Sequence, residues 1–159
     1  MEVLTIRPFD YAEASTVAHW TYEPPFDFYD SDPGNPELFL EIDGEGLGYY
    51  ALSSSDDGVV GFCCFGAEAR VLPQQAEEGV IDLGVGIAPT RLSEGFGTRA
   101  LPMILDFAND QWSPQTFRVA VASFNERSLQ LFRSAVFQRI GPFLNDQGRE
   151  FLELTRGAH

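Results

Sequence analysis

Val80-Ile81-Asp82-Leu83-Gly84-Val85-Gly86-Ile87, continued by Ala88-Pro89-Thr90-Arg91-Leu92-Ser93-Glu94-Gly95-Phe96-Gly97-Thr98, decides how the rest of the chain is read. Ile81, Leu83, Val85 and Ile87 alternate, which places them on one face of a strand and Asp82, Gly84 and Gly86 on the other. Two glycines on one strand face signal that another group lies close against the backbone; a bulge or a crowded packing site gives the same pattern. Ala88-Pro89 ends the strand. Phe96, Ala100, Ile104, Phe107 and Ala108 then recur at helical spacing and predict a helix that faces a core. A glycine-containing loop opening a helix leaves N–H groups unpaired at the positive end of the helix dipole, a place suited to phosphate or another anion. Gly95-Phe96-Gly97 reads equally well as a plain turn.

The chain has 159 residues, which fits one domain with a real core. Its formal net charge is −14, and all its basic side chains other than histidine are arginine. Such a balance excludes nucleic acid as an expected partner, because that binding needs clustered positive charge. It suits a cationic substrate or partner, and equally a solvated surface that carries no message. Cys63 and Cys64 are adjacent and point to opposite strand faces, so they read as small buried hydrophobes rather than as a disulfide or a metal site. No apolar leader opens the chain and no run of roughly 18 apolar residues occurs, so a cytoplasmic protein without a membrane span is expected.

Working outward, Val3 to Phe9 reads as a first strand, and Asp10 with Glu13 has the spacing of a capping box for a helix from Tyr11 to Trp20. His19 falls where a histidine satisfies the last helix carbonyls. Thr21 to Gly34 mixes Tyr22, Pro24, Pro25, Phe26, Phe28 and Tyr29 with Glu23, Asp27, Asp30 and Asp32, an ordered aromatic loop that either caps the core or lines a substrate site. Asn35-Pro36 opens a short helix to about Ile42. Leu47–Ser53 and Val59–Phe65 are two strands of a hairpin. Ala67 to Glu78 reads as a polar loop. Pro102 conflicts with its helix, which Trp112-Ser113-Pro114 ends. Phe117–Ser123 is a strong strand, Asn125 starts a helix to about Ala135, and strands follow at Phe137–Ile140 and Glu150–Leu154, with Gly141-Pro142 breaking the first of them before Phe143-Leu144.

In this order of elements the chain resembles the GNAT-type, acyl-CoA-dependent N-acetyltransferases. Val85 to Gly97 is similar to that family's strand and pyrophosphate loop. Ala122-Ser123-Phe124-Asn125-Glu126-Arg127-Ser128-Leu129-Gln130-Leu131-Phe132-Arg133-Ser134-Ala135-Val136-Phe137 is similar to its Asn-x-x-Ala-x-x-Leu-Tyr-x-x-x-Gly-Phe signature. The resemblance implies an α/β fold in a single domain over residues 1–159: a mixed, mostly antiparallel sheet flanked by helices, with splayed central strands. It implies acetyl-CoA as co-substrate, no metal, and a primary amine, small molecule or peptide, as acceptor. Backbone groups of Val85, Gly86 and Ile87 would meet pantetheine. Arg91, Gly95, Phe96, Gly97 and Thr98 would hold the pyrophosphate, and Asn125 and Phe132 would lie along the cofactor. A homodimer is compatible with the resemblance.

The departures bear on chemistry. Leu92 stands where the loop usually has Arg or Gln, and Glu94 puts a carboxylate beside a diphosphate, which Arg91 or Arg99 would offset. Phe132 replaces the tyrosine that protonates the leaving thiolate; Ser128, one turn earlier, or water would take that part. Val136 replaces a glycine, so the helix exit is expected to differ. Asp82 is the favoured general base, with Glu23 and Asp27 as alternatives, and Tyr22, Phe26 and Tyr29 are candidates for the acceptor site. A GNAT-like module that binds an acyl-CoA with little or no catalysis is the alternative reading.

Overall fold

The computed structural model describes residues 2–92 and 94–159. They form two compact units, one of the residues up to Cys64 with Val85–Phe96, the other of Phe65–Gly84 with Gly97–His159. The fold is α/β, with a seven-stranded, mostly antiparallel sheet in the order β1-β2-β3-β4-β5-β7-β6 and helices flanking it.

The first unit carries β1 (Leu4–Arg7), α1 (Tyr11–Ala18), β2 (Tyr49–Ser54) and nearly all of β3 (Gly58–Phe65). β1 pairs antiparallel with β2 from Leu4↔Ser54 to Arg7↔Ala51, and β2 with β3 from Tyr49↔Cys64 to Ser54↔Gly58. α1 begins with the expected capping box: Asp10 Oδ1 accepts from the Glu13 N–H at 2.8 Å, and Glu13 Oε1 accepts from the Asp10 N–H at 3.1 Å. At its other end His19 Nδ1 meets the Ser15 carbonyl at 2.7 Å. The core is aromatic: Phe39 lies 5.3 Å from Phe9, 4.8 Å from Tyr49 and 5.6 Å from Phe62, centroid to centroid. Pro36–Leu40 is a 3-10 turn rather than the expected helix, since Asn35 makes no side-chain cap and the segment is too short to nucleate an α-helix.

The second unit holds the first half of β4 (Val80–Ile87), β5 (Thr116–Ala122), β6 (Gln138–Leu144) and β7 (Glu150–Gly157), with α2 (Phe96–Trp112) and α3 (Glu126–Ser134). β4 runs parallel to β5 for three pairs only, Val80↔Thr116 to Asp82↔Arg118, whereas β5 stays paired with β7 as far as Ala122↔Phe151. β6 passes straight through Gly141-Pro142, with a register shift between Arg139 and Gly141; it is an edge strand, where the N–H that proline lacks is not required. α2 likewise runs unbroken through Pro102. The missing bond to Thr98 costs about 3 kcal/mol, while burying Leu101, Ile104 and Leu105 at about 1.5–3 kcal/mol each outweighs it.

α3 ends in a way that corrects the expectation about Val136. The Phe137 N–H reaches the Phe132 carbonyl and the Val136 N–H the Arg133 carbonyl, both at 3.0 Å, which is a Schellman exit. Phe137 and Phe132 pack edge to face at 5.2 Å, the apolar contact that accompanies this motif. Val136 occupies the left-handed position at φ 71°. The exit is thus the one a glycine would make, adopted by a β-branched residue at a cost.

Candidate functional site

In the first unit, Ile87 closes β4 and its carbonyl accepts a hydrogen bond from the Tyr22 hydroxyl at 2.8 Å. The Tyr22 N–H is in turn held by Asp30 Oδ1 at 2.9 Å. Burial, then the nearby Asp30 charge, pushes the Tyr22 phenol up to about 12, so it stays a donor throughout the neutral range. Tyr22 therefore ties the aromatic loop to the end of β4. Phe26–Tyr29 forms a 3-10 turn in which the Phe28 and Tyr29 rings lie 3.9 Å apart. Phe26 is half-buried and Tyr29 is 40% exposed.

The glycine face of β4 has a packing cause at Gly86. A Cβ there would come within 2.2 Å of the Phe62 ring, and a Cβ on Gly61 within 2.7 Å of the Gly86 carbonyl. Of the readings the glycine pattern left open, the crowded packing site describes Gly86, where β3 and β4 lie close in this unit. Val85 is half-buried.

Arg91 is fully engaged. Its Nε meets Glu94 at 2.9 Å, one terminal nitrogen meets Asp57 at 3.0 Å, the other meets both Glu2 oxygens at 3.2 Å, and the guanidinium lies over the Phe96 ring at 5.5 Å. It offsets Glu94 as expected, but one guanidinium faces three carboxylates and has no surplus charge for a diphosphate. Gly95 takes the left-handed φ of 74° with open space where a side chain would stand, so the turn itself requires glycine. The Phe96 side chain is 1% exposed and belongs to the core. Ser93 lies outside the described residues.

In the second unit, Gly97 is buried and Thr98 exposed in the first turn of α2. Asp82, 3% exposed, is held by two arginines. Arg118 Nε donates to Oδ1 at 2.5 Å, Arg118 Nη2 to Oδ2 at 3.1 Å, and Arg70 Nη1 to Oδ2 at 3.1 Å. Arg118 also reaches Glu77 at 2.8 Å and the Gln75 carbonyl at 2.6 Å. The hydrogen bond that Arg118 donates to Asp82 raises the guanidinium pKa, and the charges of Asp82, Glu153 and Glu77 add to it against the penalty of burial. Both Asp82 oxygens serve this ion cluster, the arrangement of a counter-ion. Asn125 caps α3 by accepting from the Ser128 N–H at 3.2 Å. Ser128 is half-buried. Phe132 is 5% exposed and packs on Phe137, so this position supplies no proton donor.

Sequence reasoning did not find the Arg70–Asp82–Arg118–Glu77 cluster. Arg118, a lone charge inside an apolar strand, was the available signal. Cys63 and Cys64 are buried free thiols, and burial raises the Cys63 pKa further. Among the described residues no group of three or more His, Cys, Asp or Glu could hold a metal ion, and no helix is long and apolar enough to cross a membrane.

No family model matches the sequence, and no curated protein does. Solved structures do match. A GNAT-family acetyltransferase from Bacillus anthracis superposes with a TM-score of 0.77 over 98% of this chain and 95% of its own, at 13% identity. The chain has the GNAT fold. The same GNAT architecture is found in an aminoglycoside acetyltransferase in complex with coenzyme A (TM-score 0.77, 12% identity, 98% of this chain and 95% of that one). It is found again in a variant of a spermidine N-acetyltransferase from Vibrio cholerae (TM-score 0.71, 15% identity, 98% and 94%). At these identities the likeness concerns the GNAT fold alone.

Proposed function

We propose that this chain is an N-acetyltransferase that moves an acetyl group from acetyl-CoA to a small primary amine, in one domain over its whole length. The observation that carries the reading is the β4–β5 ladder. It ends at Asp82 and Arg118 although β5 continues to pair on its other side, and it does so within a GNAT fold. A ladder that stops short leaves main-chain N–H groups to find another partner, and a ligand is one such partner. Support also comes from the coenzyme A complex of a protein with this fold.

Acetyl-CoA supplies the acyl group as a thioester. The chain's own part is to bind, to orient and to move protons. Backbone N–H groups of Val85, Gly86 and Ile87 are the candidates for polarising the acyl carbonyl, and Tyr22 fixes the end of that strand through Ile87. With Arg91 spent on Glu2, Asp57 and Glu94, the diphosphate falls to main-chain N–H groups of Gly95, Phe96, Gly97 and Thr98 at the start of α2, for which the left-handed Gly95 shapes the turn. Asn125 and Phe132 remain the proposed contacts along the ligand. The acceptor amine must lose a proton. With Asp82 bound to two arginines, that work passes to Glu23 or Asp27 in the aromatic loop, or to water held there. The thiolate has Ser128 or water as its proton source, Phe132 having none. Phe26 and the exposed Tyr29, among Asp27, Asp30 and Asp32, suit a cationic amine, and the charge of −14 attracts one. The same amine class appears in the spermidine enzyme of this fold.

A second reading, an acyl-CoA-binding module with little or no turnover, is favoured by the packed Phe132 and the engaged Asp82. Calorimetric titration with acetyl-CoA tests what the two readings share, and absence of binding at millimolar ligand removes both. Thiol release across a panel of amines separates them, because turnover with any amine removes the second.

A further inference from the structure

The bulge in β6 has a cavity beside it. The register shift between Arg139 and Gly141 drops Ile140 out of the ladder, and Ile140 is 61% exposed. A bulge re-aims a side chain and gives up pairing to do so. Ile140, Pro142, Phe143 and Pro73 supply the apolar lining of an open cavity of about 260 Å³, and Gln74 and Glu153 its polar lining. All six belong to the second unit. The volume falls just below the roughly 300–1,000 Å³ of sites for drug-sized ligands, so it fits a smaller one. The lining is held in place by the fold. The Phe143 ring stacks on Phe151 at 5.9 Å, and Gln74 Oε1 accepts from the Val71 N–H at 3.0 Å. The Gln74 amide then donates to Glu153 Oε1 at 3.0 Å.

Charge decides what such a cavity takes. Two guanidinium groups, Arg70 and Arg118, stand among three carboxylates, Asp82, Glu77 and Glu153, so the cluster holds one negative charge in excess. Arg118 gives hydrogen bonds to Asp82 at 2.5 and 3.1 Å and to Glu77 at 2.8 Å, whereas its Nη1 stands 4.0 Å from Glu153 Oε1. The excess therefore lies on the carboxylate that lines the cavity, whose hydrogen-bond donor is a neutral amide.

We propose that this cavity binds a small organic cation, with an ammonium head on the Glu153 carboxylate and a short hydrocarbon body against Ile140, Pro142 and Phe143. The cation supplies the counter-charge, and the re-aimed Ile140 supplies apolar contact that favours a hydrocarbon-bearing cation over a bare one. None of these residues is a candidate for holding the acyl-CoA or belongs to the aromatic loop. The site is therefore additional to the one proposed above and does not depend on it.

Amide NMR titration of the full-length protein with n-butylammonium, at constant ionic strength, tests this. The side-chain amide of Gln74 and the backbone amides of Ile140, Phe143 and Glu153 are expected to shift at millimolar amine. The neutral analogue n-butanol is expected to bind about fivefold more weakly. Glu153→Gln should weaken amine binding about fivefold to tenfold, between an exposed ion pair and a charged hydrogen bond. Ile140→Ser, at an exposed position, should weaken it about fourfold, the share of one buried methylene group. Equal affinity for butanol, or unchanged amine affinity in either variant, overturns the proposal. So does the absence of shifts at these four residues, whether or not others move. None of these failures touches the acetyl-transfer reading, which is tested with acetyl-CoA.

Discussion

Val136 is the residue whose backbone conflicts most openly with its side chain. A left-handed non-glycine residue costs about 1–3 kcal/mol, and glycine returns part of that through its freer unfolded chain. Val136→Gly is therefore expected to stabilise the protein by about 1 kcal/mol. Thermal unfolding should register this as a rise of a few degrees, with no loss of packing, because Val136 is 69% exposed. Tyr22 gives a pH signature. Its folded value lies near 12 against 10.0 for a free phenol, so above pH 10 the unfolded chain gives up this proton while the folded one keeps it. The associated stability, roughly 2–3 kcal/mol, is whole below pH 10 and is lost as the pH rises through 12. Denaturant midpoints measured from pH 9 to pH 12 should fall more steeply for the unsubstituted protein than for Tyr22→Phe. Sequence could single out Tyr22 as aromatic and near a site, but not its Ile87 partner, sixty-five positions away.

Among the elements, β4 and β5 are joined by charge as much as by backbone. Asp82, Arg118 and Arg70 form a buried cluster in which each group makes the burial of the others tolerable. Asp82→Asn leaves two guanidinium groups short of their counter-ion and is expected to cost about 3 kcal/mol, measurable as a reduced denaturant midpoint. An Asp82 acting as general base would instead lose turnover with stability nearly intact, so the two readouts together decide its role. The local signals were legible at this level. Asp10 and Glu13 announced the capping box, alternation announced β4, and Asn125 announced α3. The Arg118 cluster, the Phe62 ring filling the space beside Gly86 and the bulged passage of β6 through Gly141-Pro142 were not legible, because each depends on which strand lies alongside. The 3-10 turn at Pro36–Leu40 was missed because helix signals at its start carry no information on whether enough residues follow to sustain an α-helix.

At the scale of the molecule, the order of elements was readable from the chain and matches the GNAT fold, whereas the chemistry was readable only in part. The two motif stretches pointed to an acyl-CoA ligand, and the side chains usually charged with catalysis are here given to packing and ion pairing: Phe132 to Phe137, Asp82 to Arg118, Arg91 to three carboxylates. What remains for transfer is main chain, a tethered aromatic loop and an acidic surface, which suits a cationic amine. The central claim is that an acetyl group passes from acetyl-CoA to such an amine. Mass spectrometry of a primary polyamine incubated with acetyl-CoA and the protein tests it directly. Protein-dependent formation of the N-acetylated amine, matched by free CoA, is the expected result; CoA released without acetylated amine, or neither product across a panel of cationic amines, would contradict it.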